Sequence, residues 1–497
     1  MALLETLIGI IAIITLIYFY FQQSFKHWDK LNVTSVKPTF PFGSIGYKDV
    51  KKGLYAGVRK CYLELKSKKV KYGGAYLGPN PILIPMDIDL IKTILTKDFQ
   101  SFASHGTEIE AVDPILAHLF NLSGQEWKDM RVKLTPTFTS GKMKMMFNTL
   151  LDCGHQLENF LDETYKQNKP FDVKEIMACF TTDIIGSCAF GVECNSFQNP
   201  DAEFRKNGRK LFTPSVITFF RRLVGQVFPT IKKTLKINTI DPSVRMFFMD
   251  AVKNLVNYRE QNNVTRNDFM QILLNMKAKA QQEGSEGFTM EQLTAQSLIF
   301  FIAGFETSST TMSFCMYELA YNQEVQDRVR AEMNEVLERH DNKISYDAIM
   351  EMKYLDQVLQ ETLRKYPPTP ILPRTCTKDY KFEDGVEIKK GTSVFINIFS
   401  MHRDEDYFSD PEKFDPDRFS DENKDKIKPF SYIPFGEGPR ICIGLRFGLM
   451  QAKVGLTLLL KNYKLHPQEN IKYPMDFDPK ALVLSFKGKI LLKAEKV

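Results

Sequence analysis

Residues 435–444 have the sequence Phe-Gly-Glu-Gly-Pro-Arg-Ile-Cys-Ile-Gly, and the chain is organised around this stretch. From Leu445 onward, apolar residues recur at helical intervals over a run long enough to be buried, which predicts a helix. Cys442 therefore lies at the mouth of a helix, where unpaired backbone N–H groups and the helix dipole stabilise a thiolate. Glycines on both sides allow a large, flat group to approach the backbone. The stretch predicts a thiolate ligand to a metal or metallocofactor, and haem iron uses such a ligand.

The alternative for Cys442 is purely structural, because a lone cysteine before a buried helix is usually only a small hydrophobic residue. The spacing Phe-x-x-Gly-x-Arg-x-Cys-x-Gly is much harder to obtain by chance. It resembles the haem-binding loop of the cytochrome P450 family, with every defining position filled. The resemblance implies that Cys442 is the axial ligand of haem iron. The other haem-binding residues that it implies in this loop are Phe435, Gly436, Arg440 and Gly444.

Length and composition set broad limits on the fold and the function. The chain has 497 residues, enough for one large domain or two to three ordinary ones, and 43% of them are hydrophobic. The mild formal net charge of +6 argues against a nucleic-acid-binding protein. The eight cysteines include no Cys-x-x-Cys pair, so neither a zinc ribbon nor a disulfide scaffold is indicated. A reducing cytosolic environment fits this cysteine usage best.

The first segment of the chain departs from this composition. Residues 2–21 are almost wholly apolar, with Glu5 as their only formal charge. At about 1.5 Å per residue, a helix of about 20 residues spans the roughly 30 Å of a bilayer core. Lys26 and Lys30 follow the apolar run, which by the positive-inside rule keeps the bulk of the chain in the cytosol. We expect a signal-anchor helix in the endoplasmic reticulum membrane, and a cleaved signal peptide is the alternative.

Prolines and a glycine at residues 37–43 cannot continue a helix and predict a stiff elbow between the membrane and the globular part. No internal repeat or low-complexity tract divides the rest of the chain. The expected organisation is a signal-anchor transmembrane helix at residues 1–22, a proline-rich elbow at 23–46 and one catalytic domain at 47–497.

A second motif lies in the apolar run at residues 298–311, where small residues and then an acid beside a hydroxyl interrupt the pattern. Buried Glu306 and Thr307 are costly unless they serve each other or ordered water. The Thr307 hydroxyl can also bond back to a carbonyl one turn earlier. The run resembles the distal motif on the central helix of the same family, which implies that Ala303 lies against the haem and that Glu306 and Thr307 relay protons for oxygen activation. The alternative is a helix that packs tightly through small residues.

Trp127 and Arg131 are four residues apart on a predicted helix, so that an indole N–H and a guanidinium face one way and suit a carboxylate. The pair resembles the one that binds haem propionates in the family. Arg374 and Arg440 match two further propionate-binding positions. His105 occupies a position that related members often fill with arginine, and its contact with a propionate stays open because histidine can be neutral at pH 7.

Glu361 and Arg364 share one face of a predicted helix, which on a surface would be a common and weak ion pair. Together with Arg418 they resemble the buried charged triad behind the haem in the family. The implied role of the triad is scaffold and haem assembly. Asp417 stands where the family more usually has glutamate, a departure that we expect to be harmless.

The hydrophobic periodicity predicts a mainly α protein with small β-sheets near the ends of its globular part. The resemblance implies the cytochrome P450 fold with an N-terminal transmembrane helix. Helices are predicted at residues 47–69 and 87–95 and through most of 140–370. A hairpin is predicted at residues 74–85, and further strands at 380–382, 386–388, 394–396, 481–485 and 490–492.

The resemblance covers essentially the whole chain and implies a haem-thiolate monooxygenase that inserts one oxygen atom of O2 into lipophilic small molecules. Residues 134–142, 266–269 and 435–450 look like the insect microsomal branch that handles xenobiotics such as plant toxins and insecticides. Electrons are expected from NADPH through a separate reductase, because no flavin or nicotinamide site is visible, and cytochrome b5 is a further partner that the resemblance allows. Basic residues on the cysteine side are expected to dock the acidic reductase, unless they form a merely solvated face: Lys128, Lys133, Lys142, Lys424, Lys426, Lys428 and Arg446.

The substrate pocket is expected to be apolar, with Phe219 and Phe220 as candidates for its cover or for membrane contact. The segments expected to line it are residues 102–120, 212–220, 300–303, 369–372 and 482–484. Other functions stay open: a dedicated hydroxylase of an endogenous hormone or lipid, an isomerase of hydroperoxides, or a non-catalytic, membrane-anchored haem sensor. The Glu306–Thr307 pair argues against the last two, because neither needs a proton relay.

Overall fold

The computed structural model describes residues 2–46, 49, 52–106, 113–212, 215–284, 287–469 and 471–497. Within them the protein is mainly helical, which confirms the predicted fold class. The α-helices of the described residues are α1 (Ala2–Ser24), α2 (His27–Lys30), α3 (Leu54–Ser67), α4 (Ile88–Lys92), α5 (Gly124–Leu134), α6 (Ser140–Lys166), α7 (Val173–Ile185), α8 (Glu203–Phe212), α9 (Val216–Val227), α10 (Pro229–Thr234), α11 (Pro242–Asn262), α12 (Phe269–Gln282), α13 (Met290–Tyr321), α14 (Gln323–Arg339), α15 (Tyr346–Glu351), α16 (Lys353–Lys365), α17 (Ile398–Met401) and α18 (Leu445–Asn462). Two π-helical turns, Thr93–Lys97 and Gly186–Phe190, directly follow α4 and α7.

Small sheets lie around the helices. The strands are β1 (Tyr72–Leu77), β2 (Asn80–Pro85), β3 (Phe171–Asp172), β4 (Leu372–Thr375), β5 (Tyr380–Lys381), β6 (Glu387–Ile388), β7 (Ser393–Ile396), β8 (Tyr463–Pro467) and β9 (Leu491–Lys496). The largest sheet has the order β1-β2-β7-β4, in which only the β2–β7 pair is parallel. The second sheet has the order β3-β9-β8, and β5 pairs with β6.

Most of the predicted elements are present, with three differences. The predicted hairpin is the antiparallel β1–β2 pair. Of the helix predicted at 47–69, the structure describes a continuous helix from Leu54 onward. Residues 47, 48, 50 and 51 of its predicted first part lie outside the described residues. The strand predicted at 481–485 is wrong: this segment pairs with no strand, and the N–H of Leu484 donates to the carbonyl of Pro368 instead. The sequence did not predict β3, β4 and β8. β3 has only two residues, and β4 is short and contains Pro373.

α13 is the centre of the helical part and packs against α7, α11, α16 and α18. Its first turn has a capping box, in which the Thr289 hydroxyl accepts from the Gln292 N–H and the Gln292 side chain accepts from the Thr289 N–H. Gly304 allows α7 to come close, because a Cβ there would lie 2.3 Å from the Cδ1 atom of Ile185. α13 is apolar enough to cross a membrane, but most of its apolar window is buried, as in a core helix.

α1 is exposed along almost its whole length and is long and apolar enough to cross a membrane, which fits the predicted anchor. The segment after it is fixed to the first sheet. Trp28 is fully buried, its Nε1–H donates to the carbonyl of Ala75 at 3.0 Å, and a Cβ on Gly74 would collide with its ring. The domain boundaries stay predictions, and two residues beside them, Met1 and Tyr47, lie outside the described part.

Candidate active site

The loop before α18 has its shape because of two glycines in the left-handed region. Gly436 has a φ of +71° and Gly438 has a φ of +73°. A Cβ on Gly438 would lie 2.0 Å from the carbonyl oxygen of Leu95, so the loop can pack against that π-helical turn only with glycine there. The N–H of Cys442 donates to the carbonyl of Phe435 at 3.0 Å. This bond closes the loop and holds the cysteine at its end.

Cys442 has surroundings unlike those of the other cysteines. Of the eight cysteines, all of which the structure describes, Cys442 alone is exposed, and the others are buried or half-buried. Burial nevertheless raises the pKa of its thiol, because the space that it faces lies within the molecule rather than at its outer surface. The N–H of Gly444 and the positive charge of Arg131 lower this pKa. An accessible sulfur whose thiolate has a hydrogen bond and a nearby cation is suited to binding a metal.

The face of α13 that carries Ala303 and Thr307 is the second wall of the site. Ala303 is exposed although α13 is otherwise largely buried, so open space adjoins it. The hydroxyl of Thr307 donates to the Ala303 carbonyl at 2.5 Å, the backbone contact that the sequence predicted. α18, which begins three residues after Cys442, packs on α13 so that a Cβ on Gly448 would lie 3.8 Å from the Ser308 hydroxyl. This helix contact brings the cysteine loop and Thr307 to one region of the protein.

Glu306 is next to Thr307 in sequence but lies on another face of α13. It lines a charged cavity of about 280 Å³ together with Lys174 and Arg205, and Thr307 does not line this cavity. Burial raises the pKa of the Glu306 carboxyl, and the charges of Lys174 and Arg205 lower it. The structure therefore directs the two side chains of the expected relay to different sides. It also brings to Glu306 two cations that the sequence did not indicate.

Arg374, on β4, is the clearest candidate for binding an anionic group. Only 1% of it is exposed, and its Nε and Nη2 atoms have no hydrogen-bond partner among the described residues. Its Nη1 atom donates to the carbonyl of Pro373 at 2.9 Å. Desolvation lowers the pKa of Arg374 to about 10. Because a buried guanidinium with unused donors is costly unless an anion complements it, this residue fits a carboxylate.

Arg440 and Trp127 form one unit. The guanidinium carbon of Arg440 lies 4.4 Å from the centroid of the Trp127 ring, within the range of a cation–π contact. The guanidinium also donates to the carbonyls of Phe120 and Leu122, at 3.2 and 2.5 Å. Arg440 thus connects the cysteine loop with the segment that leads into α5, the helix of Trp127 and Arg131.

His105 lies beside these arginines as a neutral group. Its Nδ1 atom is 2.8 Å from the carbonyl oxygen of Phe120, and its ring stacks on the Phe120 ring with the centroids 4.1 Å apart. Desolvation and the charges of Arg374 and Arg440 lower the pKa of His105 to about 3. His105 therefore adds no positive charge at neutral pH, and its contact with a propionate remains a prediction.

Taken together, these residues fit a haem. Cys442 offers a soft thiolate for iron, and Arg374 offers buried donors for a carboxylate. The exposed Ala303 and the glycine loop allow a flat group to approach the protein between them. Among the described residues, Cys442 is the only exposed thiol, and Arg374 is a buried arginine with two nitrogens that have no hydrogen-bond partner.

The charged triad is assembled behind the loop. Arg364 donates from Nε and Nη2 to the Glu361 carboxylate at 2.6 and 2.8 Å, and both side chains are fully buried. Arg364 also donates to the carbonyls of His402 and Pro411, at 2.7 and 2.8 Å. The Nε atom of Arg418 lies 3.5 Å from the Glu361 carboxylate. Because each charge has partners within the protein, the arrangement supports the scaffold role that the resemblance implies.

His402 is a buried residue that the sequence analysis did not assign to the site. Its Nδ1 atom lies 3.2 Å from the carbonyl oxygen of Arg364, and its Nε2 atom accepts from the N–H of Ile433 at 3.0 Å. Desolvation and the charge of Arg364 lower its pKa to about 3, so the ring is neutral. Since Ile433 precedes Phe435 by two residues, His402 connects the triad to the cysteine loop. Both partners are distant in sequence, and no local pattern could have indicated the contact.

The segments expected to line the substrate pocket are only partly described. Residues 107–112, Thr213 and Pro214, and the side chain of Phe219 lie outside the described residues. Phe220 and Leu482 are exposed, and Leu484 is buried. The composition of the pocket therefore stays a prediction.

Comparison with known proteins agrees with this site. The sequence model of the family described as Cytochrome P450 matches residues 56–493. Cytochrome P450 6a2 of Drosophila melanogaster is 38% identical over 500 residues, which cover 98% of this chain and 99% of that protein. Probable cytochrome P450 6a14 of the same fly is 39% identical over 507 residues, which cover 99% of both chains. Cytochrome P450 6A1 of Musca domestica is 37% identical over 500 residues, which cover 99% of this chain and 97% of that protein.

Proposed function

The chain belongs to the cytochrome P450 family and is a haem-thiolate monooxygenase, and from this premise we propose that it oxidises lipophilic xenobiotics such as plant toxins or insecticides. The observation that carries the monooxygenase chemistry is the accessible Cys442 thiol; burial raises its pKa, and the N–H of Gly444 and the charge of Arg131 oppose this rise. The similarity to proteins of two insects supports the branch that the sequence predicted.

The proposed roles in cofactor binding follow from the contacts. When bound, the haem supplies the reductive activation of dioxygen, which the protein residues alone cannot perform. Cys442 holds the iron as a thiolate, and the N–H of Gly444 tempers its charge. Arg374 offers its unpaired donors to a carboxylate. The further residues proposed to hold the haem are Trp127, Arg131, Arg440, Phe435, Gly436 and Ala303.

Thr307 and Glu306 are proposed to take part in proton transfer to the oxygen. Because the Thr307 hydroxyl donates its own proton to the Ala303 carbonyl, its oxygen is left to accept a hydrogen bond from a water molecule on the haem side. Glu306 has a carboxyl with opposing influences on its pKa, burial on one side and two cations on the other. A carboxyl whose pKa is set by such opposing influences is suited to take up and release a proton.

The proposed electron source is NADPH, through a separate reductase at the endoplasmic reticulum membrane, with cytochrome b5 as a further donor. The exposed side chains of Lys128, Lys133 and Arg446 support an acidic partner on the side of the cysteine loop. Lys424 of the predicted basic group is already paired with Asp421 at 2.7 Å. An exposed apolar α1 supports attachment to a membrane.

The experiment that tests the proposal is a spectrum of the reduced, carbon-monoxide-bound protein. Wild-type protein should show the strongly red-shifted Soret band of a thiolate ligand, and Cys442→Ala should lose it. Cys188→Ala, at a fully enclosed thiol, is the matched control and should keep the band. If Cys442→Ala kept the band, the assignment of the ligand would be wrong.

Turnover tests the rest of the proposal. With added reductase and NADPH, a lipophilic probe should be oxidised, and Thr307→Ala should produce less product for each NADPH consumed. A screen of xenobiotics and endogenous lipids for shifts of the haem spin state then decides the substrate class. Shifts with one endogenous lipid alone would favour the dedicated hydroxylase.

A further inference from the structure

The last turn of α13 carries a fully buried carboxylate that has no part in the proposed chemistry. The Oε1 atom of Glu318 accepts from Lys365 Nζ at 2.8 Å and from the hydroxyl of Tyr366. Its Oε2 atom accepts from the Tyr473 hydroxyl and from Asn322 Nδ2, each at 3.1 Å. These five residues form the Glu318 cluster. A buried carboxylate is costly unless it is paired and hydrogen-bonded, and here its partners come from three separate segments of the chain.

One of these segments is residues 471–487, the C-terminal loop, which follows β8 and contains Tyr473. Two further tyrosines of α13 bind the same loop. The hydroxyl of Tyr317 accepts from the N–H of Met475 at 3.1 Å, and the hydroxyl of Tyr321 donates to the carbonyl of Ile471 at 3.2 Å. The start of the C-terminal loop is therefore attached to the last two turns of α13.

The two arms of the C-terminal loop are joined to each other. The N–H of Asp478 donates to the carbonyl of Ser485 at 2.7 Å. The rings of Phe477 and Phe486 stack with their centroids 5.3 Å apart, and the Phe486 ring also packs edge-on against Phe314 of α13 at 4.7 Å. Because the arms are bonded and stacked, a displacement at the start of the loop also displaces its tip.

The tip of the C-terminal loop lies beside the wall of the haem site. The N–H of Leu484 donates to the carbonyl of Pro368 at 3.0 Å, and Pro368 begins the short stretch that leads into β4. On β4, Leu372 lies against the cysteine loop, because a Cβ on Gly436 would be 3.8 Å from its Cδ2 atom. Leu482, at the tip, is 58% exposed and free to contact a ligand. Two segments expected to line the substrate pocket, 369–372 and 482–484, are thus adjacent.

We propose that the Glu318 cluster fixes the C-terminal loop, and that Tyr473 acts through it as a positioning residue that sets how tightly large lipophilic substrates bind against the loop tip. The inference rests on the proposed function. The ligands affected are those large enough to reach from the haem iron to residues 482–484. Ligands that occupy only the space at the iron are unaffected.

The charges and the exposure of the cluster give the physical reason. The Lys365 ammonium, 5% exposed, offsets the Glu318 carboxylate, so the phenol bonds to this carboxylate are charge-assisted and stronger than neutral ones. A wall that is fixed before binding spares the ligand the cost of ordering it. Tyr473 is 44% exposed, so Tyr473→Phe removes one hydroxyl and opens no cavity in the core.

The first measurement is the binding of two azoles to the haem iron, followed by the shift of the Soret band. Imidazole probes only the iron, and 1-tritylimidazole extends far into the pocket. Tyr473→Phe should weaken 1-tritylimidazole about 3- to 10-fold, because the ligand must then order the loop, and should leave imidazole unchanged. The matched control is Tyr72→Phe, which removes a phenol bond of 2.6 Å to Asp384 on the first sheet and should change neither affinity.

A double-mutant cycle separates positioning from a general loss of structure. Leu482→Ala removes the contact of the loop tip with 1-tritylimidazole. If Tyr473 acts through this tip, adding Tyr473→Phe to Leu482→Ala should weaken 1-tritylimidazole little further. Tyr321→Phe, which removes a second bond between α13 and the loop, should act in the same direction and decides the matter if Tyr473→Phe takes up no haem.

Hydrogen exchange of the backbone amides in residues 482–487 reports on the loop without any ligand. We expect exchange about 3- to 10-fold faster in Tyr473→Phe than in the wild type, in line with the loss of affinity. Unchanged exchange, an unchanged affinity for 1-tritylimidazole, or additive effects in the cycle would overturn the proposal. Absence of the thiolate Soret band or of turnover in the wild-type protein would instead reject the monooxygenase assignment, while the exchange rates still reported on the Glu318 cluster.

Discussion

Arg364 and Arg374 are both buried, but the protein treats them in opposite ways. Arg364, on α16, donates to a buried carboxylate and to three backbone carbonyls. Arg374, on β4, has one bond to the carbonyl of its neighbour, and two further nitrogens lack partners in the described residues. A buried cation whose donors are all used stabilises the fold around it. A buried cation with unused donors can still bind an anion.

The largest effect is expected at the paired arginine. Arg364→Met leaves the Glu361 carboxylate buried, with only the 3.5 Å contact to Arg418 and the hydrogen bond from the Asp415 N–H at 2.8 Å to offset its charge. Loss of one partner of a buried ion pair costs about 3–5 kcal/mol, so the free energy of unfolding should fall by that amount. Denaturant unfolding and the yield of haem-loaded protein measure the effect.

The double variant Glu361→Leu/Arg364→Met is the control for this prediction. It removes both charges and should recover part of the lost free energy. If the single variant were as stable as the wild type, the triad would not be a scaffold.

The unpaired arginine should show the reverse pattern. Arg374→Met removes a desolvated cation and should leave the haem-free protein at least as stable, but it removes the donors for a propionate. A hydrogen bond to a charged group contributes about 1.5–3 kcal/mol, so haem should be lost about 10- to 100-fold faster to an acceptor apoprotein. A loss of stability without faster haem release would reverse the assignment of Arg374.

An intermediate effect is expected at His402, which connects the paired region to the cysteine loop. Its pKa in the folded protein is lowered to about 3 from an ordinary 6.5, so the unfolded chain takes up a proton below pH 6.5 and the folded protein does not. Its contribution to stability is therefore complete above pH 6.5 and is lost as the pH falls towards 3, by up to about 1.4 kcal/mol per unit.

In His402→Gln, the loss of unfolding free energy between pH 6.5 and 5 should therefore be smaller than in the wild type by about 2 kcal/mol. Denaturant unfolding at a series of pH values measures this slope. The same replacement at His466, a histidine near the surface, shows the effect of losing a histidine as such. Equal slopes in wild-type protein and His402→Gln would contradict the prediction.

The smallest effect is expected where an arginine is paired but exposed. Arg328 binds Asp417 through two bonds of 2.9 Å, and 54% and 47% of the two side chains are exposed. Solvent screens such pairs, so Arg328→Ala should change the unfolding free energy by less than about 1 kcal/mol. The change in unfolding free energy for Asp417→Glu should be as small. A large loss of unfolding free energy in either variant would show that the aspartate is not a harmless departure.

The motifs were readable from the sequence because each is a local pattern. The Cys442 loop needs glycine at left-handed positions and a helix directly after it, and both requirements are visible within about ten residues. The bond from Thr307 to the Ala303 carbonyl was predictable for the same reason, since it lies within one turn of helix. The strand expected at 481–485 was wrong because a short apolar run does not by itself provide a pairing partner.

The sequence by itself determined the family and predicted the thiolate ligand and the helix that faces it, because these depend on short-range spacing. Only the tertiary structure decided which charged groups are paired. Burial and partners at long sequence distance set the environments of Arg364, Arg374 and His402. The direction of Glu306, too, was decided by the packing of α7 and α8 on α13, because a helix turns about 100° per residue and sends neighbours to different faces.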